Sequence, residues 1–410
     1  MFRLFVFIGI ALALDFYALQ SFRSVTKNPW VTIGYTVCSL GVLGIIVYQS
    51  LNFNRASGLS ASFYNAFALF VLFYVPKFVL VASMFGEDIF RIFEGIYNSI
   101  MSNRNTGGSI FRSRRKFVGQ LALGLASIPF LSILYGITKG KYNYKVLNYT
   151  LFFEDLPPAF DNYKITQISD IHSGSFDNRS KVEYAVDLVN SQASDAIMFT
   201  GDLVNSKTSE MLPWKSIFSK LKAKDGIFSV LGNHDYGDYT SWPSKQAKRK
   251  NFDDMLNLQR EMGFKLLIDE AHYIEKNGAR LAIIGVENWG KGFKQKGDLK
   301  RATSKINPQD FKILLSHDPS HWEYEVVDDK LHYQLTLSGH THGMQFGIEI
   351  PGLVKWSPIK WRYKYWAGLY ENKGQVLNVN RGFGYLAFPG RVGIWPEITV
   401  ITLKKGKATV

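Results

Sequence analysis

The chain has 410 residues, room for one large domain and a smaller one or for two domains, with 46% apolar residues and a formal net charge of +14. Its one cysteine, Cys38, excludes a disulfide within the chain. The positive balance suits anionic partners (phospholipid surfaces, phosphorylated substrates or nucleic acid) and alone decides between none of them.

Phe, Leu, Ile, Val and Ala are dense in the first 140 residues. Four stretches there, at about 4–19, 29–48, 61–84 and 117–137, approach or exceed the roughly 20 residues a helix needs to cross a bilayer. No small-residue cleavage site follows the first, so it is read as a retained span and not as a signal peptide. The segment between the third and fourth spans carries Arg91, Arg104, Arg112, Arg114, Arg115 and Lys116, which places it in the cytoplasm. Arg23 and Lys27 inside and Arg55 outside agree with that orientation, whereas Arg3 and Lys139, Lys141 and Lys145 run against it. The fourth span then leads outward, and everything after it is expected to be extracytoplasmic. Ser113-Arg114-Arg115-Lys116-Phe117 resembles a twin-arginine export signal, and the plainer reading is a positive-inside flank. Asp15 and Lys77 are costly in hydrocarbon. They could pair across the bundle, but separate snorkelling to the inner interface is the simpler expectation.

From about residue 145 the pattern becomes alternating strand and helix. Apolar strand-like runs fall at 163–169, 196–200, 227–231, 281–286, 311–315, 333–337, 375–379 and 397–403, with a helix expected over 180–190. Short polar motifs follow several of these runs: Asp170-Ile171-His172, Gly201-Asp202, Gly232-Asn233-His234-Asp235, Ser316-His317-Asp318 and Gly339-His340-Thr341-His342-Gly343. They hold five of the eight histidines. In open α/β sheets, ligands bind at the carboxyl ends of strands. Histidine and carboxylate suit Mn, Fe or Zn, and an asparagine amide oxygen is acceptable. Two cations held close together, with a carboxylate shared between them, can generate hydroxide near neutral pH and offset the charge that makes phosphoesters resist attack. His272, His321 and His332 match no motif and are read as surface or structural.

The five motifs together resemble those of the calcineurin-like metallophosphoesterases, over about residues 143–405. Within that superfamily the resemblance is closer to the membrane-associated YaeI/YkuE-like phosphodiesterases. It rests on residues 339–346, with Met344 where that segment has a glycine, and on Arg381-Gly382-Phe383-Gly384, residues 389–392 and Pro396-Glu397-Ile398-Thr399. The resemblance implies an α/β fold, a four-layer α-β-β-α sandwich, preceded here by a four-helix transmembrane region. The transmembrane region would cover 1–140 and the metallophosphoesterase domain 141–410. It also implies two divalent metal ions, manganese first, with Fe, Zn or Mg as the others. One ion would take Asp170, His172 and His342, the other Asn233, His317 and His340, with Asp202 bridging them. His234 would donate a proton to the leaving oxygen or stabilise the transferred phosphoryl group, and Asp235 would orient His234.

The expected activity is hydrolysis of a phosphodiester or phosphomonoester, lipid-linked or envelope-derived, with the bilayer as partner and no nucleic acid. A different class of function would make the four helices a transporter or sensor, with the outer domain as a phosphoester-binding regulator. Arg381 and Arg391 have equal claim to be phosphate clamps or surface arginines. Residues 354–366 place Trp356, Trp361, Tyr363, Tyr365 and Trp366 among Lys355, Lys360, Arg362 and Lys364. That mixture favours a lipid headgroup region.

Overall fold

The structure, a computed structural model, describes residues 2–54, 60–100, 108–350 and 352–407. Arg55 and Arg104, and the side chains of Arg112 and Ser113, lie outside the described residues. The chain divides into two compact units, the second beginning in the main at Lys139.

The first unit consists of four helices long and apolar enough to span a membrane: α1 (Phe2–Val25), α2 (Pro29–Leu51), α3 (Ala61–Ile100) and α4 (Gly108–Thr138). Asn28 caps α2, its side chain accepting from the Trp30 N–H, with Pro29 at the first helical position. α3 has 40 residues, about 60 Å at 1.5 Å per residue, twice the hydrocarbon thickness. It runs well past the expected end of the third span. The extension carries Glu87, Asp88 and Glu94, which meet Arg114 and Arg115 on α4: Arg114 lies 2.7 Å from Glu94, and Arg115 lies 2.8 Å from Glu87. The two arginines of the export-like motif are therefore engaged in helix–helix ion pairs.

The expectation that Asp15 and Lys77 snorkel separately does not hold. Both are buried, and Lys77 Nζ bonds to Asp15 Oδ1 and to Ser39 Oγ. Tyr74 donates its hydroxyl to Asp15 Oδ2 at 2.8 Å, and Tyr35 donates to the Asp15 carbonyl at 3.2 Å. Asp15 sits ten residues from the end of α1, about 15 Å, beyond the reach of any carboxylate toward water. The partners on α2 and α3 are much closer, and in hydrocarbon a nearby opposite charge wins.

The second unit contains, in chain order, β1 (Lys145–Phe153), β2 (Tyr163–Ile168), α5 (Arg179–Ser191), β3 (Ala196–Phe199), α6 (Lys215–Phe218), β4 (Ile227–Ser229), α7 (Lys245–Glu261), β5 (Phe264–Leu266), β6 (Glu270–Lys276), β7 (Ala279–Gly285), α8 (Leu299–Thr303), β8 (Phe311–Leu315), α9 (Pro319–Tyr324), β9 (Leu335–Ser338), β10 (Ile348–Ile350), β11 (Val354–Trp356), β12 (Gly368–Asn372), β13 (Gln375–Val379) and β14 (Glu397–Lys405). Two six-stranded sheets have the orders β1-β14-β2-β3-β4-β5 and β12-β13-β9-β8-β7-β6. β2 to β5 run parallel in the first, and β7, β8, β9 and β13 run parallel in the second. The β10–β11 ribbon stands apart.

Period-2 alternation explains the layers. Ala196 and Met198 on β3 face inward, into a core shared with Ile283, Ile313, Leu315 and Leu337 of the other sheet. Ile197 and Phe199, the alternate residues, pack outward against Val182 and Val186 of α5 and Met255 and Leu258 of α7. On the far side, Ala282, Ile284 and Leu314 pack against Leu299 of α8 and Trp322 of α9. Strands buried on both faces read as continuous apolar runs. Each such aliphatic side chain contributes roughly 1.5–3 kcal/mol. The result is the four-layer α-β-β-α sandwich.

Candidate active site

β2, β3 and β4 of one sheet and β8 and β9 of the other end on the same rim. Asp170 and His172 follow β2, Asp202 follows β3, Asn233 and His234 follow β4, His317 follows β8, and His340 and His342 follow β9. Asp170, Asp202, His172, His340 and His342 all adopt positive φ, between 48° and 71°. Non-glycine residues occupy that region at a cost of order 1–3 kcal/mol each. Here it turns each side chain back toward a common centre. The glycines of the motifs allow close approach. A Cβ on Gly232 would lie 2.2 Å from Asp202 Oδ1, and one on Gly339 would lie 2.2 Å from Asp170 Oδ2. Glycine is therefore needed directly beside the carboxylates.

The side chains form two groups. Ligand atoms of Asp170, His172 and His342 lie within 4.8 Å of one another, as do those of Asp202, His317 and His340. Asn233 Oδ1 belongs with the second group, 3.2 Å from His317 Nε2 and 2.9 Å from His340 Nδ1. Asp202 reaches both, with Oδ2 3.1 Å from His317 Nε2 and 3.5 Å from His172 Nε2. Its Oδ1 accepts the His234 backbone N–H at 2.8 Å.

Two observations test whether these residues fit a cation. His172 Nε2 and His342 Nε2 are buried without a hydrogen-bond partner. A buried polar atom left unsatisfied costs roughly 1–3 kcal/mol, and a bound ion removes that cost. The protonation states agree. Burial alone would raise Asp170 and Asp202, yet the neighbouring histidines hold both carboxyls well below the usual range. Burial pushes His172 and His340 down, toward the neutral, ligating form. His317 opposes its burial and is pushed up to about 10 by Asp202 and Asp170, so a proton stands where a cation would replace it.

The neighbours that aim these rings were not evident from the motifs. His172 Nδ1 faces Asn205 Oδ1 at 3.1 Å, and His317 Nδ1 donates to the Thr200 carbonyl at 2.7 Å. His340 Nε2 meets the Tyr363 hydroxyl at 2.8 Å and Asp318 Oδ2 at 3.4 Å. Asp318 stood in a motif without a role, and Tyr363 lies in the aromatic segment. Partners of this kind set the tautomer and basicity of ligating histidines.

His234 is half-buried, stacked on Tyr239 with centroids 4.2 Å apart. Its Nδ1 lies 2.6 Å from the Asn205 carbonyl. A carbonyl only accepts, so Nδ1 carries the proton and Nε2 is the nitrogen left to meet a substrate. The orienting role expected of Asp235 toward His234 does not match the geometry. The buried Asp235 carboxylate accepts the backbone N–H groups of Leu203 (2.8 Å), Gly232 (2.9 Å) and Asp202 (3.0 Å). It ties the Gly201-Asp202 and Gly232-Asn233 turns together, and the Asn205 carbonyl orients the ring. Burial and the Asp202 charge push Asp235 up to about 7.

Neither Arg381 nor Arg391 is a surface residue. Arg381 is committed to Glu349 and Glu397. Arg391, wholly buried, donates to the Gly382 and Gly384 carbonyls and lies 3.2 Å from His342 Nδ1. His321 is structural, between Ser316 and Trp289. A cavity of about 450 Å³ opens beside Asn233, lined among others by Tyr236, Tyr239, Phe293, Lys294 and Lys296.

Comparison with known proteins agrees with this geometry. Residues 2–141 match the family described as "Probable Calcineurin-like phosphoesterase, transmembrane domain", and residues 163–344 match "Calcineurin-like phosphoesterase". The metallophosphoesterase YkuE of Bacillus subtilis is 28% identical over 61% of this chain and 82% of its own. A transmembrane protein with metallophosphoesterase domain from Danio rerio is 26% identical over 70% of this chain and 63% of its own, so the match spans somewhat less than two thirds of that relative. YkoQ of B. subtilis is 26% identical over 68% of this chain and 97% of its own. The chain is a metal-dependent phosphoesterase of the calcineurin-like family, with a four-helix transmembrane domain ahead of the hydrolase domain.

Proposed function

We propose that the protein hydrolyses a phosphoester at a pair of divalent cations, on the extracytoplasmic side of the membrane, with a lipid-linked or envelope-derived substrate. Asp170, His172 and His342 would hold one ion and Asn233, His317 and His340 the other, with Asp202 between them. The observation that carries the reading is the Asp202 carboxylate within reach of both groups, beside two buried histidine nitrogens that make no hydrogen bond. When bound, such a pair supplies hydroxide near neutral pH and offsets phosphoryl charge; manganese is the ion we expect first. His234 presents Nε2 to the departing oxygen: as an imidazolium, with its Nδ1–H held on the Asn205 carbonyl, it gives that oxygen the proton on Nε2 and is left as the neutral Nδ1–H ring, or it stabilises the phosphoryl group. The cavity beside Asn233 takes part of the ester.

Metal-stripped full-length protein should not hydrolyse bis-p-nitrophenyl phosphate and should recover with Mn²⁺. Full activity without any divalent ion would overturn the reading. A reporter after the last residue should behave as extracytoplasmic and one near residue 105 as cytoplasmic; the reverse would defeat the assignment of sides. The transporter or sensor alternative draws on the Asp15–Lys77 pair, but those charges neutralise each other and are bonded to Ser39 and Tyr74.

A further inference from the structure

Among the described residues of the hydrolase unit, six of the eleven large apolar side chains that stay exposed gather in one short stretch: Met344, Ile348, Ile350, Leu353, Val354 and Trp361, the other five being scattered singly. Leu353 and Trp361 are each 76% exposed. Isolated exposed apolar residues need no explanation, but a contiguous group does.

The β10–β11 ribbon explains why they are contiguous. Its register pairs Ile348 with Trp356, Glu349 with Lys355 and Ile350 with Val354. Side chains alternate between faces, so Ile348, Ile350, Val354 and Trp356 share one face and Glu349 and Lys355 the other. The polar face is bound to the body: Glu349 pairs with Arg381 at 2.5 Å, and Lys355 Nζ donates to the Ala367 carbonyl. The apolar face is turned away. Trp361 extends it, its ring centroid 6.1 Å from that of Trp356.

The ribbon is also joined to the metal centre. Ser357 donates to the Gly343 carbonyl at 2.7 Å, and the Thr341 hydroxyl donates to the Trp366 carbonyl at 2.6 Å. Tyr363 contacts His340, and the Arg362 guanidinium lies 5.4 Å from the centroid of Phe293, which lines the cavity.

We infer that the apolar face of β10 and β11, with Leu353 and Trp361, inserts into the surface of the bilayer that holds the four helices. Two facts point to lipid as the occupant. Lys139 is all the chain between the end of α4 and the turn Gly140–Tyr142, which is bound within the hydrolase unit through Lys141 and Asp177. One residue spans about 3.5 Å, so the unit cannot drift away from the membrane. Exposed Lys360, Arg362 and Lys364 surround Trp361, a basic and aromatic rim suited to anionic headgroups. The segment expected from sequence to meet the interface is therefore divided. Tyr363 and Trp366 are buried and structural, whereas the lipid-facing part is Trp361 with the preceding ribbon. Bound there, an amphiphilic phosphoester has its headgroup led past Arg362 and Phe293 to the cavity. That last step rests on the proposed hydrolysis; the insertion does not.

The test uses the full-length chain with Cys38→Ser, in nanodiscs containing phosphatidylglycerol, with a nitroxide on Leu353→Cys or, as control, on exposed Asn277→Cys in the β6–β7 turn. The Leu353 label should be accessible to oxygen and shielded from an aqueous nickel reagent, and the Asn277 label should be open to nickel. Equal nickel accessibility at both sites would overturn the insertion. Dipolar broadening at Leu353 that requires two chains per disc would assign the face to a second copy and overturn it too. In the second arm, Ile350→Ser with Leu353→Ser should raise KM for p-nitrophenyl dodecyl phosphate about tenfold and leave bis-p-nitrophenyl phosphate hydrolysis unchanged. Equal losses on both would remove the delivery role. Depth is read without turnover, so failure of docking and failure of hydrolysis are distinguishable.

Discussion

Two of the buried sets of ionisable groups, one in each unit, are finished differently. In the membrane unit, Asp15 and Lys77 bond to each other, and Ser39, Tyr74 and Tyr35 complete them. In the hydrolase unit, His172 Nε2 and His342 Nε2 face carboxylates across a buried centre but make no hydrogen bond. The first arrangement is closed: both Asp15 oxygens and the Lys77 ammonium find partners within the bundle, and what it produces is attachment of three helices. The second is open, and its open valences mark where something else binds. Buried charge alone therefore does not identify a functional site; a cluster of ligand-type atoms with histidine nitrogens left without hydrogen bonds points to one.

Four substitutions bear on that contrast. His234→Ala should lower kcat by roughly 10²–10⁴-fold while metal content stays unchanged, because the ring contributes to chemistry and not to the open valences. Loss of metal would make it a ligand. Lys77→Met should destabilise the membrane unit by about 3–5 kcal/mol, since it leaves a carboxylate buried and unpaired. Adding Asp15→Leu should recover most of that loss, read as thermal unfolding in detergent. If the double variant is no better than the single, the pair does more than close a charge. The smallest effect belongs to Tyr363→Phe, which removes the hydroxyl on His340 Nε2. Metal affinity should fall about 10–100-fold, measured by chelator competition, with Lys77→Met as the control that leaves affinity alone.

Much of the hydrolase unit was legible in the sequence. Residues 196–199 and 313–315 are apolar runs because their strands are buried on both faces, and the polar motif after each is conspicuous for that reason. The ligand candidates could be found because the turns demand glycine beside carboxylate, leaving a local signature. What escaped was non-local. Asn205, Thr200 and Tyr363 act through single contacts from distant loops, and no spacing predicts them. Asp235 looked like a partner for the histidine beside it, but its acceptors are filled by backbone N–H groups, which no sequence pattern reveals. Asp15 and Lys77 were misread because each helix was considered alone, whereas the pairing requires α1, α2 and α3 to converge. The extension of α3 was missed because a hydropathy run ends where the membrane ends, not where the helix does. β10 and β11 are three residues each, too short for alternation to register.

The central claim is that the open valences of the hydrolase unit belong to two cations sharing Asp202. The most direct measurement is metal content per chain, by mass spectrometry, in the full-length protein and in Asp202→Ala after loading and removal of free ion. Two ions per chain, with both disturbed in the variant, is the expected result. Two ions retained at full occupancy in Asp202→Ala, with normal hydrolysis, would contradict it.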